Sequence, residues 1–253
     1  MRGESYVRQE FYPFIQYLEE ILQRPVEFAY RDDNRGVIDG LSNDEIDLAF
    51  LGPLPYAVLS QKDSKILPLL QFLNADGSSG YTCSVGIFSG TDLTIHDLKG
   101  EAFALTQPYS TCGYLMTECM LNHQGVSLEN NSYEFIGSHP DVVLAVIEGK
   151  VDACGIKTSI GQQYASLGLT LLKESSRVPS FILVANSRTL KQDEMSRVRD
   201  RLLALTPLVK KEDATLTENW GELIKYGAAP VGENEFQVII DLLKHIKVPG
   251  VNQ

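Results

Sequence analysis

Short apolar runs alternate with amphipathic helical segments along the chain, and this alternation restricts the fold more than any other feature. Residues 9–23 place apolar side chains at helical spacing, and Pro25 ends that segment. Two strand-like runs follow, residues 26–30 and 45–53, separated by a short helix that residues 32–34 can cap. Helices and strands in this order and of these lengths predict an α/β fold with mixed, mostly parallel sheets flanked by helices.

The same pattern continues to the end of the chain, without a low-complexity linker. Further strands are predicted at residues 66–72, 81–88, 102–105, 133–137, 149–155, 169–172 and 181–185, and further helices from residue 54 and at 140–147, 193–205, 215–225 and 233–246. Residues 40–49 and 147–154 share one pattern, a helix end, a small turn and an apolar-Asp-apolar strand, which favours two similar lobes. No run approaches the ~20 apolar residues of a membrane helix, so no membrane insertion is expected.

Charge and cysteine content exclude several classes of function. The formal net charge of −11 argues against a nucleic-acid or anionic-membrane partner, and any anion site must be shielded locally by backbone dipoles. The chain starts Met1-Arg2-Gly3-Glu4-Ser5 without an apolar segment, so no signal peptide is predicted. The four cysteines show no paired spacing, and they signal neither a metal site nor a disulfide framework.

Residues 107–115 form the stretch with the clearest functional signal. Pro108 cannot lie inside a helix, whereas Ser110 and Thr111 are favoured N-cap residues before an apolar helical stripe. The short apolar strand at residues 102–105 precedes this loop. A helix that begins after such a strand presents backbone N–H groups and its positive dipole end, which predicts an anion site. The alternative is an ordinary helix cap without a ligand.

Several segments, taken together and in order, resemble the phosphate/phosphite/phosphonate-binding proteins of ABC transporters. The segments are residues 46–53 with Tyr56, residues 80–85, residues 98–115, and Ser138-His139 with residues 144–146 and 151–153. The resemblance extends over about residues 8–185, and its central part looks like the family's Ser-Thr-Ser-Gly anion loop. Each motif alone is weak, whereas the ordered set is fairly specific.

The resemblance implies a two-lobed periplasmic binding protein type II fold with the ligand cleft between the lobes. It assigns residues 1–82 and 180–253 to lobe 1 and residues 83–179 to lobe 2. The family also has an apolar strand just before the position of Arg2, so lobe 1 is expected to lack its first strand.

The resemblance further implies a solute-binding protein, not an enzyme, with no catalytic residues, metal or cofactor. The expected ligand is a small phosphorus oxyanion, namely phosphate, phosphite or an alkylphosphonate, and the expected partner is an ABC permease. A periplasmic or extracytoplasmic location is implied as well. The acidic residues that bind the amine of an aminophosphonate in the family have no evident counterpart here, which argues against 2-aminoethylphosphonate.

Seven residues are predicted to bind the ligand, each with a structural alternative. The set is Ser110, Thr111, Cys112, Tyr81, His139, Tyr56 and Asn34. Capping alone is the alternative for Ser110, Thr111, Cys112 and Asn34, and packing in the protein is the alternative for the two tyrosines and His139. Cys112 stands where the family has the last serine of its loop. Lys157 could neutralise an anion, but a solvated surface lysine is favoured at this position.

Cys112 also supports a rival function. A thiol at a helix N-terminus has a lowered pKa, and soft thiolates suit soft ions. Cys112, with Cys83 or Cys154, would then bind arsenite in a periplasmic sensor that signals to a histidine kinase. A third alternative is a Cys-dependent enzyme that pairs Cys112 with His139. Against both, free cysteines are most often small buried hydrophobes, and Cys119 falls on the apolar stripe of its helix.

Overall fold

The computed structural model describes residues 3–251, and contacts within the chain divide them into two units. The first unit comprises residues 3–80 and 179–236, and the second comprises residues 81–178 and 237–251. The family resemblance assigns residues 180–253 to lobe 1, whereas residues 237–251 group with the second unit. One contact within that unit is a hydrogen bond of 2.8 Å, which the Tyr109 hydroxyl donates to the Gly250 carbonyl.

Strands and helices alternate through both units, as the periodicity predicts. Within residues 3–251 the strands are β1 Leu48–Leu51, β2 Ile66–Phe72, β3 Gly80–Tyr81, β4 Cys83–Phe88, β5 Ala102–Leu105, β6 Ser132–Phe135, β7 Ala153–Lys157, β8 Leu169–Glu174, β9 Val178–Pro179, β10 Ile182–Asn186 and β11 Ala228–Ala229. The α-helices are α1 Glu4–Leu22, α2 Asn34–Ser42, α3 Pro53–Lys62, α4 Thr117–Asn122, α5 His139–Ile147, α6 Thr158–Gln163, α7 Gln192–Leu203, α8 Lys211–Thr217 and α9 Gln237–Leu243. None of these described helices is long and apolar enough to cross a membrane.

The first unit is built on a sheet with the strand order β1-β10-β2-β11. Its ladders are antiparallel, β10 pairing with both β1 and β2 and β11 pairing with β2. The apolar face of α1 packs on this sheet, and much of the contact is aromatic. Phe14 lies 5.0 Å from Trp220 and 6.0 Å from Phe72 between ring centroids, both edge to face.

Residues 26–30 do not form the predicted strand, although their side chains alternate between half-buried and exposed as expected. Val26, Phe28 and Tyr30 are half-buried, and Glu27 and Ala29 between them are exposed. Alternation shows only that one side of an extended segment faces the protein, whereas a strand also needs a ladder partner. The Val26 N–H is instead bonded to the Glu19 carboxylate at 3.0 Å.

The second unit is built on a five-stranded mixed sheet with the order β6-β5-β7-β4-β8. β5 pairs in parallel with β6 and β7, whereas β4 pairs antiparallel with β7 and β8. Mixed sheets flanked by helices are confirmed, but the prediction that parallel pairs predominate is wrong. β4 and β10 each run against both of their neighbours, which hydrophobic periodicity cannot reveal.

Candidate anion-binding site

The helix predicted after Ser110 is present, and its first turn is unusually wide. Residues Thr111–Met116 form a π-helical turn that continues directly into α4. Ser110 is the N-cap, and its hydroxyl accepts a hydrogen bond of 2.9 Å from the Gly113 N–H. Backbone N–H groups of a first turn have no partner within the helix, so this end carries a partial positive charge.

Two glycines allow the helix start to lie directly against the sheet. A Cβ on Gly113 would lie 2.1 Å from the Thr106 hydroxyl, and a Cβ on Gly155 of β7 would lie 2.1 Å from the Thr117 hydroxyl and 2.9 Å from the Gly113 carbonyl oxygen. The Thr117 hydroxyl donates to the Cys112 carbonyl at 2.8 Å, across the wide turn. The position of the loop therefore depends on close contacts at Gly113 and Gly155, where a residue with a side chain would not fit.

A disulfide joins this helix to the neighbouring strand, although the cysteine spacing signals no disulfide, so the free Cys112 thiol that the rival functions require is absent. Cys112 is bonded to Cys83, the first residue of β4, with Cα atoms 5.1 Å apart. Cys112 can therefore offer a ligand its backbone N–H but no thiolate. Of the other cysteines, Cys154 is buried, which raises its pKa to about 12, and burial also raises the pKa of Cys119.

The disulfide removes the basis of both alternatives that depended on Cys112. Thiolate binding of arsenite and nucleophilic attack each require a free, ionised sulfur. The sulfur of Cys112 is shared with Cys83, and the raised pKa of Cys154 keeps that thiol protonated at neutral pH. Sequence spacing could not reveal the pairing, because 29 residues separate the two cysteines and only the fold brings them together.

Tyr81 and Thr111 are in contact through their side chains. A hydrogen bond joins them, and burial raises the pKa of Tyr81 while this hydrogen bond acts in the opposite direction. Tyr81 is 9% exposed, and its raised pKa keeps the phenol neutral at physiological pH. The ammonium of Lys157 lies 4.8 Å from the centroid of the Tyr81 ring.

Sheet direction gathers these residues at one edge. β5, β6 and β7 are parallel, so their carboxyl ends meet at the same edge of the sheet, as in other α/β ligand sites. β5 leads to Ser110 and Thr111, and β7 ends at Lys157. β4 is antiparallel to β7, and the register that pairs Cys83 with Lys157 puts the amino end of β4 at this edge too.

His139 follows β6 and begins α5 beside the loop that follows β5. The Gly137 N–H donates to the Thr106 carbonyl at 3.0 Å, which fixes the two loops side by side. His139 is half-buried, and Ser138 and Asp141 form a capping box around it. The structure thus brings Ser110, Thr111, Tyr81 and His139 to one edge of the second unit's sheet, together with the backbone of Cys112.

Tyr56 and Asn34 belong to the first unit, and their described surroundings are structural. Tyr56 lies in α3, is 8% exposed and packs edge to face on Phe236 at 4.6 Å between centroids; burial raises its pKa. Asn34 is the first residue of α2, where Asp33 is the N-cap and accepts a hydrogen bond of 2.7 Å from Gly36. Their predicted binding roles remain predictions.

Thr106 lies beneath the loop of the candidate site, a position that the sequence does not reveal. Its side chain is 5% exposed, and its hydroxyl oxygen has no hydrogen-bond partner among residues 3–251. It lies against Gly113, beneath the first turn of the helix. Its importance depends on that close approach, which no spacing rule predicts. Within the same described residues, no three His, Cys, Asp or Glu side chains are grouped so that they could hold a metal ion.

Comparison with known proteins identifies the family of this chain. Residues 2–229 match the family of ABC transporter, phosphonate, periplasmic substrate-binding proteins. A curated relative, the phosphate-import protein PhnD of Mycolicibacterium smegmatis, is 29% identical over 162 residues, which are 60% of this chain and 50% of the relative. The matched segment therefore spans about half the length of that relative.

Solved structures confirm the fold. PhnD1 from Prochlorococcus marinus, in complex with methylphosphonate, superposes with a TM-score of 0.81 at 16% identity and covers 97% of this chain and 96% of its own. A binding protein component of an ABC phosphonate transporter from Pseudomonas aeruginosa has a TM-score of 0.77 at 18% identity, and the match covers 96% of this chain and 82% of that protein.

Identities this low establish the architecture alone, and it is that of type II periplasmic binding proteins, as the family resemblance implied. The family match favours a transport protein and gives no support to the arsenite sensor or its kinase. The chain belongs to the family of periplasmic substrate-binding proteins of phosphonate ABC transporters.

Proposed function

We propose that this protein binds a small phosphorus oxyanion, either phosphate, phosphite or an alkylphosphonate, at the Ser110–Thr111 helix start and delivers it to an ABC permease. The observation that carries the proposal is the capped helix N-terminus of residues 110–113, held by a disulfide and two glycines at the sheet edge where parallel strands end. Such a position offers backbone N–H groups and a dipole to an anion.

The individual roles follow from the positions of the side chains. The neutral hydroxyls of Thr111 and Tyr81 are joined by a hydrogen bond, and when the ligand binds a hydroxyl of this pair can turn its proton toward a ligand oxygen. The Ser110 hydroxyl holds the turn by accepting from Gly113, and Cys112 contributes only its backbone N–H. His139, at a neighbouring helix start, is proposed as a further donor.

The proposed role is binding and delivery rather than catalysis. In support, the disulfide leaves Cys112 no thiolate with which to attack a substrate. Family members are periplasmic, which supports a site of action outside the cytoplasm. The permease would be the one that imports the same phosphorus compound.

The test is thermal unfolding of the oxidised protein with phosphate, phosphite, methylphosphonate, arsenate and arsenite. A ligand at 100 times its dissociation constant adds about 2.7 kcal/mol to the free energy of unfolding. We expect a rise in Tm of several degrees with at least one phosphorus oxyanion and none with arsenite.

The double variant Ser110→Ala/Thr111→Val tests the site, and it should fold but lose the ligand-induced rise in Tm. Ser60→Ala is the comparison at a partly buried serine in the first unit, and it should keep the shift. If no phosphorus oxyanion stabilises the protein, or if the double variant responds like the wild type, the proposed function is wrong.

A further inference from the structure

Lys157 is held close to the anion loop by contacts on both sides of its backbone. It ends β7, and the ladder pairs it with Cys83, whose sulfur is bonded to Cys112 in the first helical turn. The next residue, Thr158, donates its N–H to the Thr82 carbonyl at 2.9 Å. The Cα of Lys157 is therefore fixed relative to the helix start by a strand ladder and a covalent bond.

The side chain of Lys157 extends over the ring of Tyr81. Its ammonium lies 4.8 Å from the ring centroid, within the range of a cation–π contact, and the residue is half-buried. Tyr81 is in turn hydrogen-bonded to the Thr111 side chain. One aromatic ring thus separates a full positive charge from a hydroxyl of the anion loop.

A second, independent observation marks the same place as a polar site. Thr106 lies beneath the loop with its hydroxyl buried and without a hydrogen-bond partner among the described residues. A buried hydroxyl is destabilising unless a further group pairs with it. Thr106 adds a potential donor on the sheet side of the loop, whereas Lys157 adds charge from the β7 side.

We propose that Lys157 is the specificity-determining charge of this site and that it makes the protein select doubly ionised oxyanions over singly charged ones of the same shape. This inference rests on the proposed function. A helix N-terminus contributes only about half a unit charge, which suits one negative charge. A dianion brings a second charge into a protein of net charge −11, and a nearby ammonium offsets that repulsion.

The experiment compares two tetrahedral anions, methylphosphonate and methanesulfonate, at pH 8 by isothermal titration calorimetry. Methylphosphonate is largely doubly ionised there, and methanesulfonate carries one charge. The wild type should bind methylphosphonate on the order of tenfold or more tightly than methanesulfonate, because of the extra charge interaction. Lys157→Met should lose that preference, and Lys157→Arg should keep it.

The methionine variant separates charge from packing, because it keeps an apolar stem against Tyr81. If Lys157 acts only by packing on the ring, Lys157→Met should leave the affinities for both anions nearly unchanged, which would overturn the inference. An unchanged preference in Lys157→Met, or no preference in the wild type, would also overturn it. A wild type that binds no phosphorus oxyanion would instead refute the proposed function, and the inference with it. Circular dichroism checks that each variant is folded.

Discussion

The two units of the molecule are stabilised by different means. In the first unit, aromatic rings from α1, the sheet and the segment around Trp220 pack against one another. In the second unit the core around α5 and β7 is aliphatic. A disulfide and close glycine contacts hold the loop that leads into the π-helical turn and α4. The second unit also buries large side chains such as Phe103 and Leu115, and the disulfide and the glycine contacts are added to that core.

Sheet direction accounts for the position of the candidate site in the second unit. Parallel neighbours bring the ends of β5, β6 and β7 to a single edge, so residues far apart in sequence meet there. The described ladders of the first unit are antiparallel. Of its two predicted site residues, Tyr56 packs on Phe236 and Asn34 follows the N-cap of α2. Substitutions should therefore separate folding from binding.

The largest effect is expected from Phe14→Ala in the first unit. Phe14 is 3% exposed and contacts both Phe72 and Trp220, so its loss should cost about 3–5 kcal/mol. The chain has a single tryptophan, and its fluorescence during urea unfolding reports on this unit. Tyr12→Ala, on the exposed side of the same helix, is the control and should change stability little. Equal losses from both variants would contradict the aromatic core.

The second effect is loss of the disulfide. Replacing Cys83 and Cys112 by alanine should cost about 3 kcal/mol, because the link closes a loop of 29 residues. Urea unfolding followed by circular dichroism should show this loss of stability. The same unfolding followed by Trp220 fluorescence should show a smaller loss, because Trp220 lies in the first unit. Thiol titration of the denatured protein should find two free thiols before reduction and four after it. Four thiols before reduction would refute the pairing.

Cys112→Ser sharpens the same point for binding. The variant keeps the backbone N–H that Cys112 can offer, so oxyanion affinity should stay within about tenfold of the wild type. Stability should fall as in the double alanine variant. Complete loss of binding in a folded Cys112→Ser protein would mean that the sulfur itself is required, and calorimetry with methylphosphonate makes the distinction.

The third effect is expected from Gly155→Ala. The added methyl would meet the Thr117 hydroxyl and two backbone carbonyls of the helix start, so overpacking should cost about 1–3 kcal/mol and displace the loop. Oxyanion affinity should fall at least tenfold. Gly52→Ala in the first unit is the matched control, because its nearest neighbour would be a Phe181 ring carbon at 3.5 Å. A Gly155→Ala protein with wild-type affinity would contradict the role assigned to close packing.

Sequence patterns predicted the local elements well and their partners poorly. β2 and β5 occur at the predicted residues, and the helix after Ser110 begins where capping chemistry placed it. Residues 26–30 show the limit, because alternation specifies a buried side but not a ladder partner. For the candidate site, the loop was evident from Pro108 and Ser110. The disulfide, Thr106 and the nearness of Lys157 depend on strand order, which one sequence does not encode locally.

The smallest effect concerns the ionic cluster of the first unit. Asp44 accepts hydrogen bonds from Asn186 and from Arg188, and these hold its pKa below the usual range of a carboxyl. A carboxyl with a lowered pKa stabilises the folded state above its ordinary pKa and loses that contribution as the pH falls through the lowered value.

Trp220-monitored unfolding at pH 7 and pH 3 should therefore show a smaller loss of stability at the lower pH in Asp44→Asn than in the wild type. Asp92→Asn in the second unit, outside this cluster, is the control. The difference should be slight, because Asp44 is exposed and its ion pair with Arg188 is screened by solvent. An equal acid sensitivity in Asp44→Asn and the wild type would show that the cluster contributes nothing to the stability of the first unit.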